Sequence, residues 1–231
     1  MNNVNIDKDK VNNTIPSWVT PITDENIGKL KRQYYYEENK SKLVKYCGED
    51  VDYILNEHKK QNSILFTATK ELMKKAKDYN SAETLVLMQN GTRRADYTSQ
   101  YDYENVQFKL GMKKVLLDNG EETYTVLHNH PNNSNFSIQD VLTFIGYSKI
   151  TQSILCTNSC QYTAILLKTN NYKSFEVNLI TKIISFLISK DILDRHGSAS
   201  RLIKLLYRFG VCYNELMHYA DNTEGMDSSE N

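Results

Sequence analysis

Apolar positions along this chain follow two rhythms, one of period two and one of period 3.6, and the switches between them predict mixed strands and helices. Residues 63–66, 83–88, 105–110, 123–130, 150–157 and 161–168 are short runs rich in β-branched and aromatic side chains, and they read as strands. Between the first two, Ala68, Leu72, Ala76 and Tyr79 recur at helical spacing, so a helix closing near Asn80 is expected. Asp118, Asn119 and Gly120 read as a hairpin turn leading to Tyr124. Ser137 is placed to cap a helix reading IQDVLTFIGY.

Beyond Thr169 the pattern turns helical. Leu179, Ile180, Ile183, Ile184, Leu187 and Ile188 predict one apolar stripe on a packing helix. Ser198 or Ser200 caps RLIKLLYRF, Gly210 ends it, and a further short helix is expected around Asn214 to Tyr219. The resulting fold class is α+β, a mixed sheet flanked by helices. The expected organisation is a mobile segment 1–25, a helical extension 26–62, a mixed-sheet core domain 63–168, a helical extension 169–219 and a disordered acidic tail 220–231.

Composition narrows the class. The 231 residues are 40% hydrophobic and 24% charged, enough for one domain that folds without covalent staples. Cys47, Cys156, Cys160 and Cys212 are irregularly spaced, so reduced thiols and a cytoplasmic location are expected. The polar start MNNVNIDKDK carries no apolar signal core, and Lys182 and Lys190 interrupt the most apolar helix, which excludes a membrane span of ~20 apolar residues. Lys plus Arg and Asp plus Glu balance at 28 each, so nucleic acid is not the favoured partner. The tract 29–45 interleaves basic residues with Tyr34, Tyr35 and Tyr36, but Glu37 and Glu38 make an amphipathic helix the better reading.

The chemistry concentrates in residues 124–140. Side chains two apart in a strand share a face, so His128 and His130 project to one side, close enough to hold one cation, while Asn129 points away. Pro131 ends the ladder and an Asn-rich loop follows. Asp140, at the third position of the helix capped by Ser137, can fold back as a third ligand, leaving a fourth tetrahedral position for water, the catalytic zinc pattern. Ser137 and Asp140 also read simply as a capping pair, which is compatible, because capping would fix the ligand. His58, His196 and His218 have no metal-ligand partner at a useful spacing.

The series HNHP, Ser137 and Asp140 resembles the JAB/MPN family, whose JAMM metallopeptidases carry HxHP, then Ser-x-x-Asp, with a glutamate upstream. Nine residues, Pro131 to Gln139, separate the second histidine from the aspartate, where family members often have ten. The resemblance implies a cytidine-deaminase-like mixed sheet over the core and Zn2+ held by His128, His130 and Asp140. It also implies a general base, best supplied by Glu83 at the head of ETLVLMQNG, with Glu104, Glu121 and Glu122 as rivals. Ser137 would then donate to the oxyanion. The implied activity is a peptidase or isopeptidase acting on a protein or peptide substrate, without membrane association. HNHP is also reminiscent of the RadC-like and phage or mobile-element branch, so a DNA-associated role and a non-catalytic scaffold are the alternatives. A basic groove at the metal would favour DNA; a narrow acidic or apolar one would favour peptide cleavage.

Overall fold

The period-two runs pair into one six-stranded sheet in the computed structural model, which describes residues 15–30, 66–90, 95–100, 103, 106–195 and 197–217. The strands are β1 (Thr84–Gln89), β2 (Ala95–Gln100), β3 (Tyr124–His130), β4 (Ile150–Thr157), β5 (Tyr162–Lys168) and β6 (Val211–Met217), in the order β2-β1-β3-β4-β5-β6. Every neighbouring pair is antiparallel except β3 and β4. A parallel pair needs a crossover, and the crossover here is a helix, Ile138–Gly146. In chain order the helices are α1 (Asp24–Gly28), α2 (66–78), α3 (Leu110–Leu117), α4 (Ile138–Gly146), α5 (Ser174–Ser189) and α6 (Ser200–Leu206).

Alternation along β3 sends Tyr124 and Val126 to one face and Leu127 to the other, and both faces are buried. On the first face they meet Met112 and Leu116 of α3, Val141 and Phe144 of α4, Val177 of α5 and Leu202 of α6. On the second, Leu127 packs with Val86, Ile154 and Leu72 of α2. A strand covered on both sides reads as continuously apolar rather than alternating. That explains why β3 and β4 are legible as strands by composition.

Several expectations change. Residues 106–109 are irregular and Leu110 opens α3, so neither a strand over 105–110 nor a hairpin at Asp118 forms there. Phe108, Met112 and Leu116, four apart, are the buried positions, whereas Leu110 lies in solvent, so the helical period wins. Phe66 begins the described part of α2 rather than ending a strand, and 63–65 lie outside the described residues. Segment 169–219 is not only helical, because β6 occupies most of the expected last helix and pairs with β5 along its length. On α5 the core stripe is narrower than expected, with Ile180, Ile184 and Ile188 packed inward but Leu179 and Ile183 exposed.

Residues 15–25 are anchored rather than mobile. Val19 and Ile22 are buried, and the Thr20 amide donates to the Pro131 carbonyl at 2.8 Å. Gly210, at φ 80, ends the turn after α6, where a Cβ would meet the Tyr172 nitrogen at 2.6 Å. Cys156 and Cys160 are free and buried, but Cys212 is disulfide-bonded, which corrects the expectation of four reduced thiols. Among the described residues no helix is long and apolar enough to cross a membrane. Most of the extension 26–62, including Tyr34 to Tyr36 and His58, and the tail 220–231 lie outside the described residues.

Candidate metal centre

The centre forms at the C-terminal end of the parallel pair β3 and β4, where the chain turns into α4, a place where open sheets commonly bind ligands. His128 and His130 share the face that carries Tyr124 and Val126, as the period of two requires. Their ring centroids lie 5.0 Å apart. Leu85 of β1 stands opposite His128, and extending that antiparallel register by two residues sets Glu83 opposite His130. Opposed residues point the same way, so the Glu83 carboxylate comes to the face of the two imidazoles. Glu83, His128 and His130 are all buried, and their ligand atoms lie within 4.8 Å of one another, a group that could hold a metal ion.

Asp140 reaches the same place from α4. Its Oδ1 lies 3.6 Å from His128 Nε2 and its Oδ2 3.4 Å from His130 Nε2, so the nine-residue spacing still delivers the carboxylate. Donor atoms on tetrahedral corners about 2.0–2.1 Å from one ion would stand ~3.4 Å from each other. The two separations, each to a different oxygen of the carboxylate, are of that order. A full capping box fixes Asp140: the Ser137 amide and hydroxyl each donate to Asp140 Oδ2 at 2.7 Å, and the Asp140 amide donates back to Ser137 Oγ at 3.2 Å. The other two amides of the first turn, Ile138 and Gln139, donate to the carbonyls of Gly197 and Arg195. With Oδ2 held by Ser137, Oδ1 is the oxygen left facing His128.

Two observations on the rings favour a cation. Both nitrogens of His128 are buried without a hydrogen-bond partner, a costly arrangement that a cation on Nε2, the nitrogen facing Asp140, would relieve at that nitrogen. Nδ1 of His130 lies 3.2 Å from the Ser134 carbonyl, which can only accept. The Ser134 hydroxyl lies 3.0 Å from the same nitrogen, so Ser134 orients the ring through Nδ1 while Nε2 faces Asp140. Electrostatics in the ion-free centre are lopsided. Burial pushes His128 down to about 4. Burial also opposes charge on His130, but Asp140, Glu83 and the Ser134 carbonyl outweigh it and raise the pKa. Burial alone would raise Asp140; the two imidazoles and the Ser137 hydroxyl reverse this and hold it well below the carboxylate range.

The reverse face of β3 holds the frame. The Asn129 side chain accepts from the Thr84 amide at 2.8 Å and donates to the Ala82 carbonyl and to Asn158 Oδ1, the latter at 2.6 Å. Asn158 donates in turn to the carbonyls of Thr20 and Ser81. These two buried amides tie the end of β3 to the residues flanking Glu83. Phe136, 2% exposed, seats the loop between the ligands against His128 with ring centroids 5.7 Å apart.

A cavity of about 440 Å3 opens beside the centre; its lining includes Glu83, His130, Ser137 and Asp140, the aromatic Trp18 and Tyr103, and the polar Asn132, Ser134 and Gln139. Among the described residues its lining includes two carboxylates and no Lys or Arg. The five residues expected at the site thus converge: Glu83, His128, His130, Ser137 and Asp140. Sequence reasoning missed Trp18, Tyr103 and the Asn129–Asn158 pair; the one hint was a sole tryptophan in an otherwise polar leader. No protein-family description, curated protein or solved structure matches this chain.

Proposed function

We propose that the protein is a zinc-dependent hydrolase of the JAB/MPN, JAMM-like type that cleaves an amide bond in a protein or peptide. The observation that carries this is the meeting of two strand-end imidazoles with a helix-capping carboxylate at 3.4–3.6 Å, one imidazole lacking any other partner. His128, His130 and Asp140 would hold the ion. Bound there, zinc would polarise the substrate carbonyl and acidify a water, bringing its pKa toward ~7.

Glu83, immediately before β1 and within reach of both rings, would take the proton of a water whose oxygen bonds to the carbonyl carbon. The same carboxyl would pass that proton to the nitrogen as the C–N bond breaks, giving an acid and an amine. Ser137 first serves to orient Asp140, because its hydroxyl donates to Oδ2. Donating to the oxyanion would require that hydroxyl to rotate away. Among the described residues the cavity's charge supports peptide over DNA, since no cationic side chain lines it to meet phosphate.

The test is zinc stoichiometry by elemental mass spectrometry, followed by hydrolysis of peptide substrates. Near one zinc per chain is expected, with Glu83→Gln keeping zinc and fold while hydrolysis falls by roughly 10²–10⁴-fold. Zinc loss in that variant would make Glu83 a ligand rather than the base. No zinc in wild type after reconstitution would overturn the reading.

A further inference from the structure

The N-terminal strap crosses the lip of the metal centre. Thr20 is its anchor: its amide donates to the Pro131 carbonyl, its carbonyl accepts from Asn158 at 2.8 Å, and its hydroxyl accepts from Asn133 at 2.6 Å. Ile22 is held by a further bond from its amide to Ser81 Oγ at 2.8 Å. Val19, 5% exposed, plugs into the body, yet the neighbouring Trp18 is left 42% exposed against the cavity. Its indole meets the Tyr103 ring edge to face at 6.3 Å. An anchored backbone presenting the chain's only tryptophan to a cleft is unlike a surface residue that merely failed to find cover.

We propose that Trp18 and Tyr103 form an aromatic subsite that selects an apolar or aromatic side chain on a peptide lying beside the metal centre. The cavity's size suits it, since ligand pockets commonly span about 300–1,000 Å3. Charge points the same way. One divalent ion would balance Glu83 and Asp140, so no net charge remains to attract an acidic or basic side chain, and the apolar part of the lining is made by Trp18, Tyr103, Val106 and Pro131 beside the uncharged Asn132, Ser134 and Gln139. That this side chain flanks a scissile bond rests on the amide-hydrolase reading; the binding preference does not.

The experiment uses the zinc-loaded full chain and blocked hexapeptides of alanine with one central Phe, Leu, Lys or Asp. Quenching or a wavelength shift of Trp18 fluorescence reports binding in the wild type. Calorimetry reports it in the variants, and product mass reports cleavage. Phe and Leu peptides are expected to bind on the order of ten-fold more tightly than Lys and Asp peptides, with Trp18→Ala abolishing the difference at unchanged zinc content. Trp18→Tyr keeps a ring and should keep the preference, as should Tyr103→Phe, because the Tyr103 hydroxyl has no hydrogen-bond partner to lose. Equal or tighter binding of the Lys or Asp peptide, no perturbation of Trp18 by any peptide, or an unchanged preference in Trp18→Ala would each overturn the subsite. Selective binding without cleavage would sink the hydrolase reading and leave the subsite standing. Cleavage without selectivity would do the reverse.

Discussion

His128 is the side chain with the most to lose if no cation binds. Its folded pKa of about 4 lies below the ordinary 6.5, so the unfolded chain takes up a proton first as pH falls. Stability from this residue is fully present above 6.5 and is lost as pH drops toward 4. The metal-free protein should therefore lose on the order of 3 kcal/mol over that window. His130 acts with the opposite sign: its raised pKa contributes stability below 6.5 that is lost as pH climbs through the higher folded value. Urea unfolding of chelator-treated protein at several pH values measures both. A slope between pH 6.5 and 4 that survives His128→Gln would refute the assignment. Ser137→Ala removes the two bonds made by the Ser137 hydroxyl and leaves the Ser137 amide on Asp140 Oδ2, so it should destabilise by about 1 kcal/mol and weaken zinc binding, because Asp140 loses one of its two tethers. Unchanged zinc affinity would separate the cap from the ligand set. The residues legible in advance were those whose geometry is local: alternation placed the histidines, and capping placed Asp140. Trp18 and Tyr103 were not legible, since nothing in sequence says that positions so far apart meet over a cleft.

Among the elements, those buried on both faces were the readable ones. β1, β3, β4 and β5 are rich enough in β-branched residues to declare themselves, and α4 carries its start signal in Ser137. Elements at the margin were not. β2 and β6 are edge strands, and β6 reads VCYNELM, whose strand state comes from pairing with β5 rather than from its own residues. On α3 the spacing of Val106, Phe108 and Leu110 imitated a strand across what is a helix start. α5 offers a direct check on the packing described for it. Ile184→Ala, on the inward stripe, should destabilise by about 2–4 kcal/mol, whereas Leu179→Gln and Ile183→Gln, both exposed, should each change stability by less than ~0.5 kcal/mol. Comparable losses from all three, in thermal or urea unfolding, would mean that the outer face of α5 is covered in solution.

For the molecule as a whole, the candidate metal centre is where β1, β3 and the crossover helix α4 meet. An ion bound only by the folded chain stabilises it by mass action, so free zinc at a hundred times its dissociation constant should add ~2.7 kcal/mol, visible as a rise in melting temperature. Asp140→Asn should shrink that rise; an equal rise in the variant would place the ion elsewhere. The charge balance and polar leader were readable from composition, but the disulfide at Cys212 was not, because cysteine spacing carries no information about distance in space. The pairing of β1 with β3 carries a last consequence. His128, His130 and Asp140 lie within thirteen consecutive residues and can assemble early, but Glu83 arrives only through strand pairing. A slip of one residue between those strands would swing Glu83 to the opposite side of the sheet and strand the Asn129 amide without its Thr84 and Ala82 partners. The buried asparagine thus ties the register to the candidate site: a chain docked one residue out would lose the Glu83 carboxylate from the face of the imidazoles and the Asn129 amide bonds together.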